Sequence, residues 1–340
     1  MDKTGAQAEL LFNRLIKRFR HLKKWARRTG TNAYRLYDRD IPEIPLVLDL
    51  YDDAVSGAFY ERSAENDTGL IADTDNWLGA MKASTARALD IPENRIFLKE
   101  RRRMRDRQKT GTQYGKISGQ NFYRDVKEGE FRFRVNLSDY LDTGLFLDAR
   151  KKRALIRSEA AGKRVLNLFA YTCSLSVSAA SGGAKQVDSV DLSSTYLEWG
   201  RINLALNKTN AYFVDEEAFF RSAAAASAPL VRSDVLRFIS QAKKKRYCWD
   251  LIILDPPGFS NSKKMRGSLD IKRDHRELIG RCLSLLSPGG TLWFSSNAKG
   301  FHLESSDFPG YSITDMGKDL VDEDFKKKRI PLCYTLKNEK

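Results

Sequence analysis

The stretch Leu251–Met265 reads LIILDPPGFSNSKKM, and it guides the interpretation of the rest of the chain. Its apolar run predicts a buried strand, and the run ends on the carboxylate of Asp255. Pro256 and Pro257 follow at once. Because proline fixes φ and lacks a backbone N–H, these two residues stop the strand and stiffen the turn after it. The stretch therefore predicts a strand end that presents a carboxylate beside a rigid loop, with Phe259 just beyond it.

Around this stretch, strands and helices alternate from about residue 139 to the C-terminus. The runs RVLNLFA and KQVDSVD are typical of strands, whereas STYLEWGRINLALN and HRELIGRCLSLLS have the apolar spacing of helices. Such alternation predicts an α/β domain with a parallel, doubly wound sheet over residues 139–340. We expect the last run, IPLCYTLK, to add a strand at the edge of that sheet.

Two further segments precede the α/β domain. Residues 1–38 predict a basic helix, because eight Lys or Arg residues lie between Arg14 and Arg28 with no acid among them. Residues 39–138 predict a small α+β module that binds RNA, with one helix, NWLGAMKASTARAL, for which Asp75 is the expected cap. Its segment KERRRMRDRQK is suited to phosphate contacts, and the expected RNA-binding residues there are Arg101, Arg102, Arg103 and Arg105.

The charge of the chain favours a polyanionic partner. Lys and Arg number 59 against 44 Asp and Glu, which gives a net charge of +15 and a pI near 9.6. No apolar run is long enough to cross a bilayer, and the N-terminus lacks the apolar core of a secretory signal. The four cysteines are scattered without a C-x-x-C pair, which argues against a zinc site or a disulfide framework. We therefore expect a cytoplasmic protein with no bound metal and no membrane contact.

The ends of the predicted strands carry the candidate binding residues, because ligands of open α/β sheets bind outside the carboxyl ends of the strands. The first strand ends in NLFAYTCS, which lacks the G-x-G-x-x-G pattern that cradles a pyrophosphate, and this counts against NAD or FAD. Asp191, Asp234 and Asp255 end three later strands, a pattern expected for an adenosine that lies along the sheet edge. The alternative for each carboxylate is a cap of the helix that follows.

One family resemblance covers nearly the whole chain. It is carried by the motifs NLFAYTCSLSVSAA, VDLSSTYLEWGRINLALN, LDPPGFSNSKKM, IKRDH and SSNAKGF. Upstream, it extends over WARRTGTNAYRLYDRDIPEIPLVLDLY and GQNFYRDVKEGEFRFRVNLSDYLDTGLFLDAR. These segments closely resemble the C-terminal, K half of the bacterial bifunctional 23S ribosomal RNA guanine methyltransferase, the half that makes 7-methylguanosine. The resemblance implies a class I, Rossmann-like methyltransferase sheet, S-adenosylmethionine as the donor and 23S ribosomal RNA as the partner.

The resemblance also implies roles for single residues. It implies cofactor contacts near the methionine end for Asn167, Phe169 and Tyr171, near the ribose for Asp191, Leu192 and Ser193, and near the adenine for Asp234 and Val235. From the segment TGLFLDAR, which would cover the cofactor, the implied residues are Thr143, Gly144, Phe146, Asp148 and Arg150. Cys173 stands where such sequences usually have Gly, and a residue with a Cβ resists positive φ. We expect the turn at Cys173 to differ slightly rather than the cofactor to bind less tightly.

The chemistry expected at Asp255 needs no general base. Guanine N7 carries an in-plane lone pair and no proton, so its methylation needs alignment and relief of the positive charge that develops on the ring. We expect Asp255 and the nearby backbone carbonyls to supply both, Pro256 and Pro257 to shape the loop, and Phe259 to stack on the target base. Beyond that loop, the expected contacts to the RNA backbone are Lys263 and Lys264.

Two alternatives remain open from the residues alone. Methylation of an exocyclic amine, guanine N2 or adenine N6, suits the Asp-Pro-Pro turn equally, since that nitrogen needs acceptors around it. A non-catalytic ribosome-assembly protein that binds RNA is the other. A cytosine C5 enzyme is disfavoured, because it needs a thiolate nucleophile and Cys282 lies in an apolar helix. We expect His275 to be structural, with a partner such as Asp274.

Overall fold

The structure is a computed structural model, and it describes residues 2–60, 73–101, 116–221, 228–260, 269–298, 302–325 and 330–339. The chain divides into two compact units. The first consists of Met1–Leu147 with Glu323–Phe325, and the second of Asp148–Asp322 with Lys326–Lys340. The sequence predicted three segments, 1–38, 39–138 and 139–340; the first two lie together in one unit, together with the first nine residues of the third.

The first unit is built on a long helix and a four-stranded sheet. Helix α1, Lys3–Thr29, begins at Asp2, whose side chain accepts a hydrogen bond from Gly5 N, and it ends at Gly30, whose φ is 69°. The other elements are β1 (Ala33–Asp38), β2 (Leu46–Tyr51), β3 (Ala54–Tyr60), α2 (Thr74–Leu89), β4 (Ile96–Arg101), β5 (Tyr123–Glu128) and β6 (Phe131–Asn136). Strands β1 to β4 pair in chain order, and β5 and β6 form the predicted hairpin.

The helix α1 belongs to this unit because its apolar stripe is part of the core of the sheet. Leu11, Leu15 and Leu22 are fully buried in one cluster with residues of β1, β2, β3 and α2. Strand β1 was not predicted from the sequence. The predicted cap of α2 is also corrected: Asp73, not Asp75, accepts the hydrogen bond from Asn76 N.

The second unit is an α/β domain, as predicted, and its main sheet has eight strands, of which Ala211–Val214 and Tyr311–Asp315 were not predicted from the sequence. Its helices are α3 (Arg150–Glu159), α4 (Ser174–Ser181), α5 (Ser194–Leu206), α6 (Glu216–Arg221), α7 (Val235–Lys244) and α8 (Ile271–Leu283). Its strands are β7 (Arg164–Leu168), β8 (Gln186–Asp191), β9 (Ala211–Val214), β10 (Ala228–Arg232), β11 (Trp249–Leu254), β14 (Leu286–Ser296), β15 (Tyr311–Asp315) and β16 (Leu332–Asn338), besides a two-stranded ladder of β12 (Phe259–Ser260) and β13 (Leu269–Asp270).

The strand order is β15-β16-β14-β11-β7-β8-β10-β9, and the strands from β14 to β9 are parallel. The order reverses between β7 and β11, and such a switch point is where open α/β sheets bind ligands. One expectation is wrong: β16, the run IPLCYTLK, is not at the edge, because it pairs antiparallel with β14 on one side and with β15 on the other.

Both faces of this sheet are buried. Along β11, Leu251 and Ile253 pack into one apolar cluster, whereas Ile252 and Leu254 pack into the cluster on the opposite face. This strict alternation directs Asp255, the next residue, to the same face as Ile253. None of the helices described above has the length and apolarity that a bilayer-spanning segment requires.

Candidate active site

The carboxylate of Asp255 lies at the carboxyl end of β11, next to the switch point, and both of its oxygens are bonded. Lys152 Nζ donates to Oδ2 over 2.9 Å, and Ser295 Oγ donates to Oδ1 over 2.6 Å. Lys152 Nζ also donates to Ser295 Oγ over 2.8 Å, which closes a ring of three side chains. The Asp255 side chain is 34% exposed and that of Lys152 only 8%, so the carboxylate has a solvent-facing side and a buried side.

The surroundings of Lys152 favour its charged form. Burial by itself lowers the pKa of the ammonium, but charge interactions, of which that with Asp255 is the largest, raise the pKa above its ordinary value. Neither Lys152 nor Ser295 is among the residues predicted from the sequence. A signal for Lys152 was present, since it lies four residues before the buried Ile156 and so shares the inward face of α3.

The loop after Asp255 is held from two directions. Asn297, just after β14, accepts a hydrogen bond from Gly258 N, and a Cβ at Gly258 would lie 2.7 Å from that same Asn297 oxygen. Ile271 N at the start of α8 donates to Gly258 O. Phe259 then enters the ladder of β12 and β13, where it pairs with Asp270. Pro256 is buried, while Pro257 and Phe259 are half-buried. The predicted RNA contacts Lys263 and Lys264 lie outside the described residues.

The loop after β7 contains three residues in the left-handed region. Phe169, Tyr171 and Cys173 have φ values of 58°, 51° and 59°. Non-glycine residues rarely adopt this conformation, and it concentrates at functional sites. Cys173 thus keeps the left-handed conformation despite its Cβ. Its thiol is fully buried against Gly200 of α5, where a Cβ would lie only 2.4 Å from Cys173 Sγ.

Asp191 ties this loop to the end of β8. Its Oδ2 accepts from Tyr171 N over 2.9 Å, and its Oδ1 accepts from Ser193 N over 2.8 Å. Burial raises the pKa of Asp191, and the backbone N–H groups of Ser193, Tyr171 and Leu192 oppose that rise only partly. The carboxylate thus fixes the two loops that flank the switch point, and its side chain stays partly exposed.

Asn167, on β7, has one acceptor atom without a partner. Its Nδ2 donates to Ser176 Oγ over 2.8 Å, and that hydroxyl bonds to Ser189 Oγ. The residue is 1% exposed, and Asn167 Oδ1 is a buried oxygen with no hydrogen bond within the described residues. A buried orphan acceptor is rare in a folded protein and requires a donor from elsewhere. It fits a ligand that brings an ammonium group to this strand end, as the methionine part of S-adenosylmethionine would.

The capping alternative holds for one of the three strand-end carboxylates. Asp234 Oδ1 accepts from Arg237 N and caps α7, next to the buried Val235. Asp255 bonds to side chains instead. For α5 the cap is Ser193, whose Oγ accepts from Tyr196 N, so Asp191 is not needed for that purpose.

Other predicted residues have partners within their own unit. In the first unit, Thr143 Oγ1 bonds to Tyr51 Oη, and Gly144 is buried while Phe146 is exposed. There, Arg101 donates to Leu141 O and pairs with Asp142, whereas Arg102, Arg103 and Arg105 lie outside the described residues. In the second unit, the buried Arg150 pairs with Asp322, and Asp148 is exposed.

His275 and Cys282, the two residues considered as alternative catalytic groups, are buried in α8. His275 Nδ1 contacts Ile271 O at 2.9 Å, so its partner is the helix backbone and not Asp274, which pairs with Arg273. Burial raises the pKa of the Cys282 thiol well above its ordinary value. Neither arrangement resembles an activated base or nucleophile.

Comparison with known proteins identifies the family. The model of the S-adenosylmethionine-dependent methyltransferase family matches residues 82–305. Ribosomal RNA large subunit methyltransferase K of Neisseria meningitidis serogroup B is 40% identical over 332 residues, 96% of this chain and 86% of that protein. The methyltransferase K/L of Methylococcus capsulatus is 41% identical over 334 residues, and there the chain spans 42% of the longer relative.

Solved structures agree with this fold. A methyltransferase complexed with SAH has a TM-score of 0.72 at 24% identity. The matched region covers 97% of this chain and 81% of the other protein's chain. An S-adenosylmethionine-dependent methyltransferase from Streptococcus mutans has a TM-score of 0.68 at 23% identity, with the same coverage. The sequence resemblance, the predicted fold and the predicted donor are thereby confirmed. The chain belongs to the S-adenosylmethionine-dependent methyltransferase family, in the group that includes ribosomal RNA large subunit methyltransferase K.

Proposed function

We propose that the chain transfers a methyl group to N7 of a guanine in 23S ribosomal RNA. The observation that carries the proposal is the 40% identity, over nearly the full chain, to a methyltransferase named for large-subunit ribosomal RNA. The net charge of +15 is consistent with a polyanionic substrate. A substrate of this kind is made and assembled in the cytoplasm, where we therefore place the enzyme.

The residues around the switch point are proposed to hold the donor. S-adenosylmethionine supplies a methyl group on a positively charged sulfur, ready for transfer without further activation. The orphan oxygen of Asn167 and the left-handed loop with Phe169 and Tyr171 suit its methionine end. Asp191, with Leu192 and Ser193, suits the ribose, and Asp234 with Val235 suits the adenine. The segment from Thr143 to Arg150, with Gly144, Phe146 and Asp148, is proposed to cover the cofactor.

Asp255 is proposed to orient the target base. Guanine N7 has no proton to lose, which agrees with the absence of an activated base among the described residues around Asp255. Lys152 offsets much of the carboxylate's charge, so orientation outweighs bare charge stabilisation in this geometry. Pro256 and Pro257 shape the turn, and Phe259 is placed just beyond it to stack on a base.

Removal of the Asp255 carboxylate tests this role. Asp255→Ala is expected to lower the rate of methyl transfer by about 10²–10³-fold, the loss typical of a group that acts on the transition state. The affinity for S-adenosylmethionine, measured by calorimetry, is expected to hold. An unchanged single-turnover rate with intact cofactor binding would refute the assignment.

The product itself decides between N7 and an exocyclic nitrogen. Purified protein would be incubated with isotopically labelled S-adenosylmethionine and unmodified bacterial 23S RNA, and the digested nucleosides identified by mass spectrometry. Labelled 7-methylguanosine is the expected product. Labelled N2-methylguanosine or N6-methyladenosine would keep the enzyme class and overturn the choice of atom. Cofactor binding without any labelled nucleoside would favour an assembly role.

A further inference from the structure

Lys152 forms an ion pair with the candidate catalytic carboxylate that no step of the proposed reaction requires. Its ammonium reaches Asp255 Oδ2 at 2.9 Å from α3, across 103 positions of sequence, and it is held there by Ser295 as well. A buried ammonium loses its hydration, and an apolar side chain of similar length often stabilises such a position equally well. Fold stability alone therefore does not account for a lysine here.

We infer that Lys152 is a positioning residue for methyl transfer: together with Ser295, it holds the Asp255 carboxylate in a single orientation, ready to accept hydrogen bonds from the target base. The inference rests on the proposed function, since it assigns a role to the same site. Lys152 acts through Asp255 and not on the reacting atoms.

The hydrogen-bond capacity of the carboxylate explains why its orientation matters. A carboxylate has about four acceptor positions, and Lys152 and Ser295 occupy one on each oxygen. The others are left for donors on the exposed side. The N1–H and N2–H groups of guanine lie side by side, on the edge opposite N7, and they match a two-oxygen acceptor. A rotated carboxylate would present one oxygen instead of two and lose the match.

Two further titratable groups, Asp148 and Cys333, act on Lys152. Asp148, two residues before α3, is exposed and therefore screened by solvent. Cys333 of β16 faces the pair, but burial raises its pKa to about 12, so it remains an uncharged thiol near neutral pH. Asp255 is therefore the carboxylate that holds the Lys152 ammonium in place.

The test compares the steady-state kinetics of Lys152→Met with those of Lys151→Met. Lys151, the preceding residue, donates to Val321 O and serves as the matched control that removes the same charge from the same helix. We expect Lys152→Met to lower kcat about tenfold to a hundredfold, as misplacement of a catalytic group does, with little change in the KM for S-adenosylmethionine. Lys151→Met should keep the wild-type kcat and KM.

A conservative variant separates charge from packing. Lys152→Arg keeps a cation beside Asp255 and should recover most of the activity that Lys152→Met loses. Equal losses of kcat for both variants would overturn the inference. Should Lys152→Met fail to fold, Ser295→Ala provides the same test on Asp255 Oδ1; a smaller loss of kcat is expected, and no loss would count against the inference.

A measurement without the cofactor keeps this inference apart from the proposed function. Thermal unfolding midpoints would be compared for Lys152→Met, Asp255→Ala and the double variant. Because Asp255→Ala alone leaves a buried ammonium unpaired, the double variant should lose less than the sum of the two single shifts. Additive shifts would show that the pair is uncoupled and overturn the inference. The labelled-nucleoside experiment decides the substrate atom independently of this result.

Discussion

At the scale of single residues, the contact between Cys173 and Gly200 shows how a non-glycine residue is accommodated in a left-handed turn. Cys173 has a φ of 59°, and its buried thiol occupies the space beside Gly200 where a second Cβ would be. The absence of a side chain at position 200 therefore compensates for the presence of one at position 173. The sequence showed the departure at Cys173, but not its partner on a helix 27 residues away.

Gly200→Ala is expected to destabilise the second unit by about 1–3 kcal/mol, since the new Cβ would lie 2.4 Å from Cys173 Sγ. Cofactor affinity should fall with it, because the displaced loop contains Phe169 and Tyr171. The double variant Cys173→Gly/Gly200→Ala removes the clash. It should recover much of the lost stability and much of the lost cofactor affinity. Urea unfolding and calorimetric titration with S-adenosylmethionine measure the two effects. A double variant no better than Gly200→Ala would contradict this explanation.

A second residue, Asp188, gives the fold a pH dependence of its own. Burial raises its pKa to about 6, although Trp249 Nε1 and Gln186 Nε2 both donate to the carboxylate. Between pH 4 and 6 the folded chain thus keeps a proton that the unfolded chain releases, so the contribution of Asp188 to stability falls as pH rises through this window. Above pH 6 the buried Asp188 is ionised, and its charge then lowers the free energy of unfolding by its full amount, on the order of 2–3 kcal/mol.

Asp188→Asn is expected to be more stable than the wild type at pH 8, by about 1–2 kcal/mol, because the amide is neutral and still accepts from Trp249. At pH 4.5 that advantage should disappear. Urea unfolding at the two pH values measures the difference, with Asp319→Asn, which removes an exposed carboxylate, as the matched control. An advantage of equal size at both pH values would contradict the assignment of the titration to Asp188.

At the scale of elements, the sequence predicted what depends on local periodicity and missed what depends on pairing. The helices α2, α5 and α8 and the strands β7, β8 and β11 follow from apolar spacing within each segment. The position of β16 inside the sheet depends on the antiparallel partners that β14 and β15 provide, and no spacing within IPLCYTLK encodes them. The same holds for Lys152, whose partner is 103 residues distant.

Helix α1 has one face in a core and one face exposed with positive charge. Apart from Lys3 at its start, its exposed cations are Lys17, Arg20, Lys23, Lys24, Arg27 and Arg28. Arg14 and Arg18, by contrast, bond within the first unit, to Asp40 and to Leu36 O. A helix face of this kind suits contacts with a phosphate backbone, which hold an RNA without reading its sequence.

The triple variant Lys17→Ala/Arg20→Ala/Lys24→Ala is expected to weaken binding to 23S RNA. It should also reduce the slope of log affinity against log salt concentration by about 2, because each lost phosphate contact would have released roughly 0.7 counterions. Lys243→Ala/Lys244→Ala/Lys245→Ala, at the exposed end of α7, changes the net charge equally and is the matched control. Filter binding at several salt concentrations measures both. An equal effect of the two variants would show that only net charge matters.

At the scale of the whole molecule, 59 basic residues outnumber 44 acidic ones. The broadest expected consequence of this composition is that RNA binding depends on the salt concentration. If about six phosphates are contacted, affinity for 23S RNA should fall about a hundredfold to a thousandfold between 50 and 200 mM salt. The affinity for S-adenosylmethionine is expected to change far less, because the residues proposed to bind it, such as the buried Asn167, would act through hydrogen bonds that salt screens little. Parallel titrations with RNA and with cofactor would separate the two effects. An RNA affinity that is insensitive to salt would mean that the basic residues serve solubility and not binding, and the proposed substrate would then have to be recognised through other contacts.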